Sequence, residues 1–181
     1  MTVSLDGFVE GAPGQDVSMS VNEDADLASA QLAAAIESTG AVLMGRRTFD
    51  MAEDPDLYAD HYEFQVPIFV VTHRPPTKPP KENDSLTFTF VTEGVESAAA
   101  QARAAAGDRD VTVVGGPDVI RQLLEAGLVD VLEMDVVPVL LGSGTRFLDS
   151  PSLAGIALDL EYVQEIGSRT TLGFRVGQDT P

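Results

Sequence analysis

The stretch that most constrains the fold is 111–148, VTVVGGPDVIRQLLEAGLVDVLEMDVVPVLLGSGTRFL. Residues 111–114 form a short apolar, mostly β-branched run, the pattern of a buried strand. Gly115-Gly116 follows at once, and a helical pattern opens at Pro117, whose missing N–H costs nothing in a first helical turn. Val119, Ile120, Leu123 and Leu124 repeat at helical spacing, and Gly127 suits the C-terminal cap. A second, long strand is expected from Leu128 to Leu141. The paired glycines let backbone approach a ligand, and the helix N-terminus behind them favours an anion, with phosphate the natural candidate. A tight turn with nothing bound explains a bare Gly-Gly equally well.

The same architecture recurs upstream. Ala41 to Met44 reads as a buried strand, followed by Gly45-Arg46-Arg47-Thr48 and a short helix containing Phe49 and Met51. Pro67 to Thr72 is a third buried strand with His73-Arg74 at its end, and an extended loop, PPTKPPKEN, follows with four prolines in six residues. Before these lie a first strand over 3–9, bending near Asp6-Gly7, and a loop over 10–22. A helix over 24–38 should be capped by Asn22 or Asp24 and ended by Gly40. Residues 53–66 read as an irregular surface segment, 86–92 as a strand and 97–106 as an alanine-rich helix. Residues 156–166 and 170–176 flank a two-residue hairpin turn at Gly167-Ser168. Fully apolar short strands argue for an α/β fold with helices on both faces of a mostly parallel central sheet, and the hairpin adds antiparallel strands at the C-terminus. No internal boundary or linker interrupts 1–181, so one domain is expected.

In open α/β sheets ligands sit beyond the carboxyl ends of strands. Three such ends carry Gly45-Arg46-Arg47-Thr48, Thr72-His73-Arg74 and Gly115-Gly116, and all three offer glycine backbone, hydroxyl or guanidinium to an anion. The three-glycine dinucleotide fingerprint is absent. Net charge is −18, which repels nucleic acid and anionic lipid. Yet Arg46, Arg47, Arg74, Lys78 and Lys81 supply five of the eleven basic residues within 46–81, a local patch suited to a small anionic ligand. The absence of cysteine excludes disulfides and thiolate catalysis and fits a cytoplasmic protein, and with two histidines a zinc site is not expected. No apolar run is long enough to span a membrane, and MTVSLDGFVEG lacks the features of a secretory signal. Asp6 is the candidate site acid, its alternative being a turn-forming Asp-Gly pair. Glu133 and Asp135 share one strand face, expected to be a solvated edge.

Taken together, SLDGFVEG (4–11), LMGRRTF (43–49), PIFVVTHR (67–74), VTVVGGPDVIRQLLEAGLVD (111–130) and PVLLGSGTRFL (138–148) resemble the dihydrofolate reductase superfamily. The match is to the branch holding the reductase domain of bacterial riboflavin biosynthesis and its stand-alone relatives. The resemblance implies a three-layer α/β/α fold and NADPH-dependent hydride transfer to a small heterocyclic or carbonyl substrate. A nucleotide-binding module without turnover is the alternative. It also implies that Gly45, Arg46, Arg47 and Thr48 contact the cofactor phosphates and that Thr72, His73 and Arg74 lie by the adenosine 2′-phosphate. Gly115, Gly116, Asp118 and Val119 would surround the pyrophosphate. The 142–146 loop is typical of the riboflavin branch. Asp24 and Asp26 lie near the position of the pterin carboxylate in folate enzymes, but no motif ties either to that role, and the zinc cysteines of a deaminase domain are absent. Relatives suggest a homodimer built around the C-terminal half, with Val131, Val137, Val139 and Leu141 as its apolar surface.

Overall fold

A computed structural model describes residues 1–11, 17 and 24–177. In chain order the elements are β1 (Thr2–Ser4), β2 (Phe8–Glu10), α1 (Ala25–Ser38), β3 (Thr39–Gly45), α2 (Arg46–Phe49), α3 (Tyr58–His61), β4 (Ile68–Val71), β5 (Phe88–Val91), α4 (Val95–Ala106), β6 (Asp110–Val113), α5 (Pro117–Glu125), β7 (Val131–Val137), β8 (Thr145–Arg146), β9 (Leu158–Ile166) and β10 (Arg169–Val176). They form two compact units, residues 1–31 with 127–181, and residues 32–126. The fold is mixed α/β, with parallel strands in the second unit and the antiparallel C-terminal hairpin in the first.

The second unit is built on a parallel sheet of order β5-β4-β3-β6. All seven residues of β3 are buried, as a central strand of apolar residues requires. Its start was expected to be a helix end at Gly40. Instead α1 stops at Ser38 and Gly40 lies inside β3, where an added Cβ would sit 2.6 Å from the Ala106 carbonyl oxygen. Gly40 therefore lets the end of α4 pack directly on the strand. The inner face of α4 is thin, with Val95, Ala98, Ala99, Ala102 and Ala106 buried at helical spacing.

The segment 53–66 is a core element rather than an irregular surface loop. Tyr58, Ala59, Phe64 and Val66 are buried there, with Val42, Met44, Phe49, Ile68, Val70 and Leu86 completing most of the cluster. Phe49 stacks on Tyr58 at 5.7 Å and meets Phe88 and Phe90 edge-on at 5.6 and 5.3 Å. These offset and edge geometries suit ring quadrupoles and anchor α2 by its last residue. The proline loop is fastened to the same segment. Lys78 pairs with Asp56 at 2.5 Å, Lys81 with Asp60 at 2.7 Å, and the Asn83 amide donates to the Ala59 carbonyl at 2.7 Å.

The first unit holds a sheet of order β1-β7-β10-β9 and a two-stranded pair, β2 with β8. The expected first strand is split into β1 and β2 by a turn in which the Gly7 amide donates to the Ser4 carbonyl and Gly7 takes φ +84°. The strand expected over 128–141 is Val131–Val137, since Pro138 cannot donate to a ladder. Asp24 caps α1, its Oδ1 accepting from the Asp26 and Leu27 amides. The alternative cap, Asn22, and most of the expected loop lie outside the described residues.

β7 is an interior strand, so its polar face is not an edge, although Glu133 on it is exposed. Thr171 donates to Asp135 at 2.5 Å, and Arg169 lies 3.7 Å from the same carboxylate with both side chains 13% exposed. Next to it, Glu133 on β7, Gly173 on β10 and Tyr162 on β9 stand in one cross-strand row. The Tyr162 hydroxyl donates to the Glu133 carboxylate, and a Cβ at Gly173 would overlap the Tyr162 ring. Gly173 is thus the gap through which a phenol crosses a strand. Gly173→Ala should lower stability by about 1–3 kcal/mol through overpacking. In urea titrations the double variant Gly173→Ala/Tyr162→Ala should lose less than the sum of the two single losses. Strict additivity would show that the ring does not depend on the gap.

Candidate functional site

The parallel ladder sets three strand ends side by side. Gly45 pairs with Val71, Leu43 pairs with Val113, and the Val114 amide donates to the Leu43 carbonyl at 2.9 Å. Gly45, Thr72 and Gly115 therefore follow neighbouring strands at their carboxyl ends, where open sheets bind ligands. Here the backbone comes close. Gly115 and Gly116 take φ +68° and +78°. A Cβ at Gly115 would stand 3.1 Å from Thr48 Oγ1, and one at Gly116 would stand 3.7 Å from the Gly45 nitrogen. A side chain at either position would be strained and would fill the concavity that the glycines leave open.

Among the described residues, the amide N–H groups of Gly115, Gly116 and Asp118 donate no hydrogen bond within the chain, and the Thr48 hydroxyl has no partner. These donors sit at the N-terminus of the nine-residue α5, the arrangement that receives anions. The Val119 amide is already taken by the Gly116 carbonyl at 3.0 Å, and its side chain is core. Asp118 is exposed and pairs with Arg121 at 3.4 Å, so its backbone rather than its carboxylate faces this duty.

The cationic patch is smaller than the sequence suggests. Lys78 and Lys81 are neutralised by Asp56 and Asp60. Arg46 is held by Asp50, its Nε donating to both carboxylate oxygens at 2.8 Å. Its Nη1 donates to the Arg74 carbonyl at 2.7 Å. Thr72 is buried and its hydroxyl closes the adjoining turn, donating to the Arg74 carbonyl at 2.8 Å and accepting from the Arg74 amide at 3.2 Å. Arg47, His73 and Arg74 are exposed, and among the described residues their side chains have no partner. Asp50 was not anticipated as a site residue, though its i+4 spacing from Arg46 is a readable signal. Backbone amides, one free hydroxyl and two free guanidiniums thus fit a polyphosphate better than an uncharged ligand. Among the described residues no group of three histidines or carboxylates could hold a metal ion, and no helix is long and apolar enough to cross a membrane.

The Asp6 carboxylate belongs to the first unit and is fully engaged as an acceptor. It receives the Ser4 hydroxyl at 2.7 Å and the Leu141 and Gly142 amides at 3.1 and 2.7 Å. These bonds, Ser4 first, hold its pKa at about 2. A carboxyl so placed is ionised at neutral pH and carries no proton to give, and its visible work is to pin the loop at 141–142. Beside it Arg146 donates to the Asp6 carbonyl at 3.4 Å and lies over the Phe8 ring at 4.5 Å. A depressed folded-state pKa adds stability above the unfolded value, near 3.9, which fades as pH falls toward 2. Asp6→Asn should therefore melt below the parent at pH 7, with the gap closing between pH 4 and about 2. A gap constant across that range would show that the charge does not matter.

Residues 1–172 match the family described as the RibD C-terminal domain. Among curated proteins none matches. Among solved structures, the chain is similar over 98% of its length to a Shewanella sp. PV-4 protein described provisionally as a riboflavin biosynthesis protein, with 22% identity, a TM-score of 0.72 and 97% of that chain covered. It resembles a pyrimidine reductase-like protein of Corynebacterium diphtheriae at 16% identity and a TM-score of 0.62, covering 98% of this chain and 90% of that one. The riboflavin biosynthesis reductase Rib7 of Saccharomyces cerevisiae matches at 16% identity and 0.56, covering 98% and 86%. At these identities the likeness shows the fold.

Proposed function

Because the chain belongs to the RibD C-terminal domain family, we propose that it is an NADPH-dependent reductase of a small heterocyclic or carbonyl substrate. The observation that carries this reading is the set of donors at Gly115, Gly116, Asp118 and Thr48 unspent among the described residues, together with the exposed Arg47 and Arg74 beyond the neighbouring strand ends. In it the amides and Thr48 receive the pyrophosphate, and Arg47 and Arg74 the adenosine 2′-phosphate. When bound, NADPH supplies the hydride, and the protein binds and orients the reactants. The reductase names of the Corynebacterium and yeast neighbours support the activity and suggest a pyrimidine as the first substrate class to try. Asp6 serves in this reading as the ionised anchor of the 141–142 loop rather than as a proton donor.

Two measurements test this. Losing one charge-assisted contact costs about 1.5–3 kcal/mol, so Arg74→Ala should weaken NADPH by tenfold or more and leave NADH nearly unchanged. Equal losses would remove Arg74 from 2′-phosphate recognition. Oxidation of NADPH in the presence of pyrimidine and carbonyl substrates should show turnover. Tight binding with no turnover on any of them favours a nucleotide-binding module.

We also propose a homodimer, its interface built on the C-terminal half and extended to edge strand β9. Val137 is core, so it contributes nothing to a contact surface. Val131 stays 54% exposed on β7, and edge strand β9 exposes Leu158, Leu160 and Val163, which share a face with Leu172, Phe174 and Val176 of β10. Exposed apolar edges are usually covered. A charge of −18 per subunit opposes pairing, so salt should strengthen it. Light scattering at low and high salt should show twice 19.2 kDa, more completely at high salt. A monomer mass at both concentrations would overturn the assembly.

A further inference from the structure

The proposal concerns Asp50, whose carboxylate bonds none of the unspent amide and hydroxyl donors and reaches the site only through Arg46. Its carboxylate holds Arg46 through both oxygens at 2.8 Å, and the guanidinium so held reaches the Arg74 carbonyl at 2.7 Å. That carbonyl also accepts from Thr72. The backbone of Arg74 is therefore gripped from two sides while its own side chain is exposed and, among the described residues, without a partner. A guanidinium has five N–H donors. Arg46 spends its Nε–H and one Nη1–H here, so three remain. The Arg46 carbon atom Cζ also lies 5.9 Å from the Phe49 ring centre, at the foot of the aromatic core.

From this geometry, and resting on the NADPH reading above, we infer that Asp50 is a positioning residue for 2′-phosphate recognition, acting through Arg46 on the Arg74 turn. Without it, Arg46 regains rotamer freedom and the Arg74 carbonyl loses one of its two donors. Both guanidiniums must then be ordered when the phosphate arrives, and that cost is charged to binding.

Electrostatics alone points the other way, which makes the inference sharp. Asp50 is an anion beside a site for anions. If its charge were all that mattered, removing it would tighten binding of a phosphate. If it positions, removing it weakens binding.

The probes are 2′,5′-ADP and 5′-AMP, which differ by the 2′-phosphate, titrated calorimetrically into the intact chain. Parent protein should prefer 2′,5′-ADP. In Asp50→Ala its affinity should fall about three- to tenfold, by the cost of ordering freed side chains, with 5′-AMP within about twofold. Arg46→Lys keeps a positive charge but lacks the fork that spans Asp50 and the Arg74 carbonyl, so it should show the same selective loss. Tighter or unchanged binding of 2′,5′-ADP by Asp50→Ala overturns the inference, as does full retention by Arg46→Lys. Equal loss of both probes assigns Asp50 to general structure and overturns it too. A parent protein that does not distinguish the probes removes the NADPH reading itself, and the inference with it.

Discussion

The pairing of β3 on both its edges is the constraint on which the second unit depends. A strand buried along all seven residues has no solvent to satisfy its amides and carbonyls, so it must be bonded to β4 on one side and β6 on the other. Parallel pairing then brings the ends of three strands to the same level without further design. Gly45, Thr72 and Gly115 are neighbours because their strands are. The aromatic cluster beneath α2 fixes the fourth component, since Phe49 is locked among Tyr58, Phe88 and Phe90 and Thr48 precedes it in the chain.

The first unit solves a different problem, that of holding a glycine-containing loop in one conformation. Gly142 has φ +72°, a region with little intrinsic preference for one well. Asp6 supplies the missing restraint by accepting the Leu141 and Gly142 amides, and Ser4 holds Asp6 in turn. The Asp-Gly pair thus makes the turn expected of it, and its carboxylate clamps a distant segment.

Much of this was legible in the chain. The short β-branched runs at 41–44, 67–72 and 111–114 read as strands because few other structures tolerate them, and the hairpin at Gly167-Ser168 read correctly because Gly takes φ +61° there. The convergence of Gly45, Thr72 and Gly115 followed from the topology rule. What failed depended on distant partners. The aromatics at 58–64 lack a periodic signal, and their burial is decided by Phe49 and Phe88. The partners of Asp6 lie 135 and 136 residues away. Lys78 and Lys81 looked like part of a ligand patch because Asp56 and Asp60 sit on a segment whose return was invisible. Gly173 carries no signal of its role in the sequence, and only the Tyr162 ring explains it.

The proline loop carries a consequence of another kind. Pro75 follows Arg74, and Pro79 follows Lys78. Each proline restricts the backbone of the residue before it to extended conformations. The same ring blocks trypsin-like cleavage at that bond, because such proteases do not cut before proline. Arg74 and Lys78 are thus exposed on a surface loop without offering either of their own following bonds for cleavage, whereas Lys81, followed by Glu82, has no such protection.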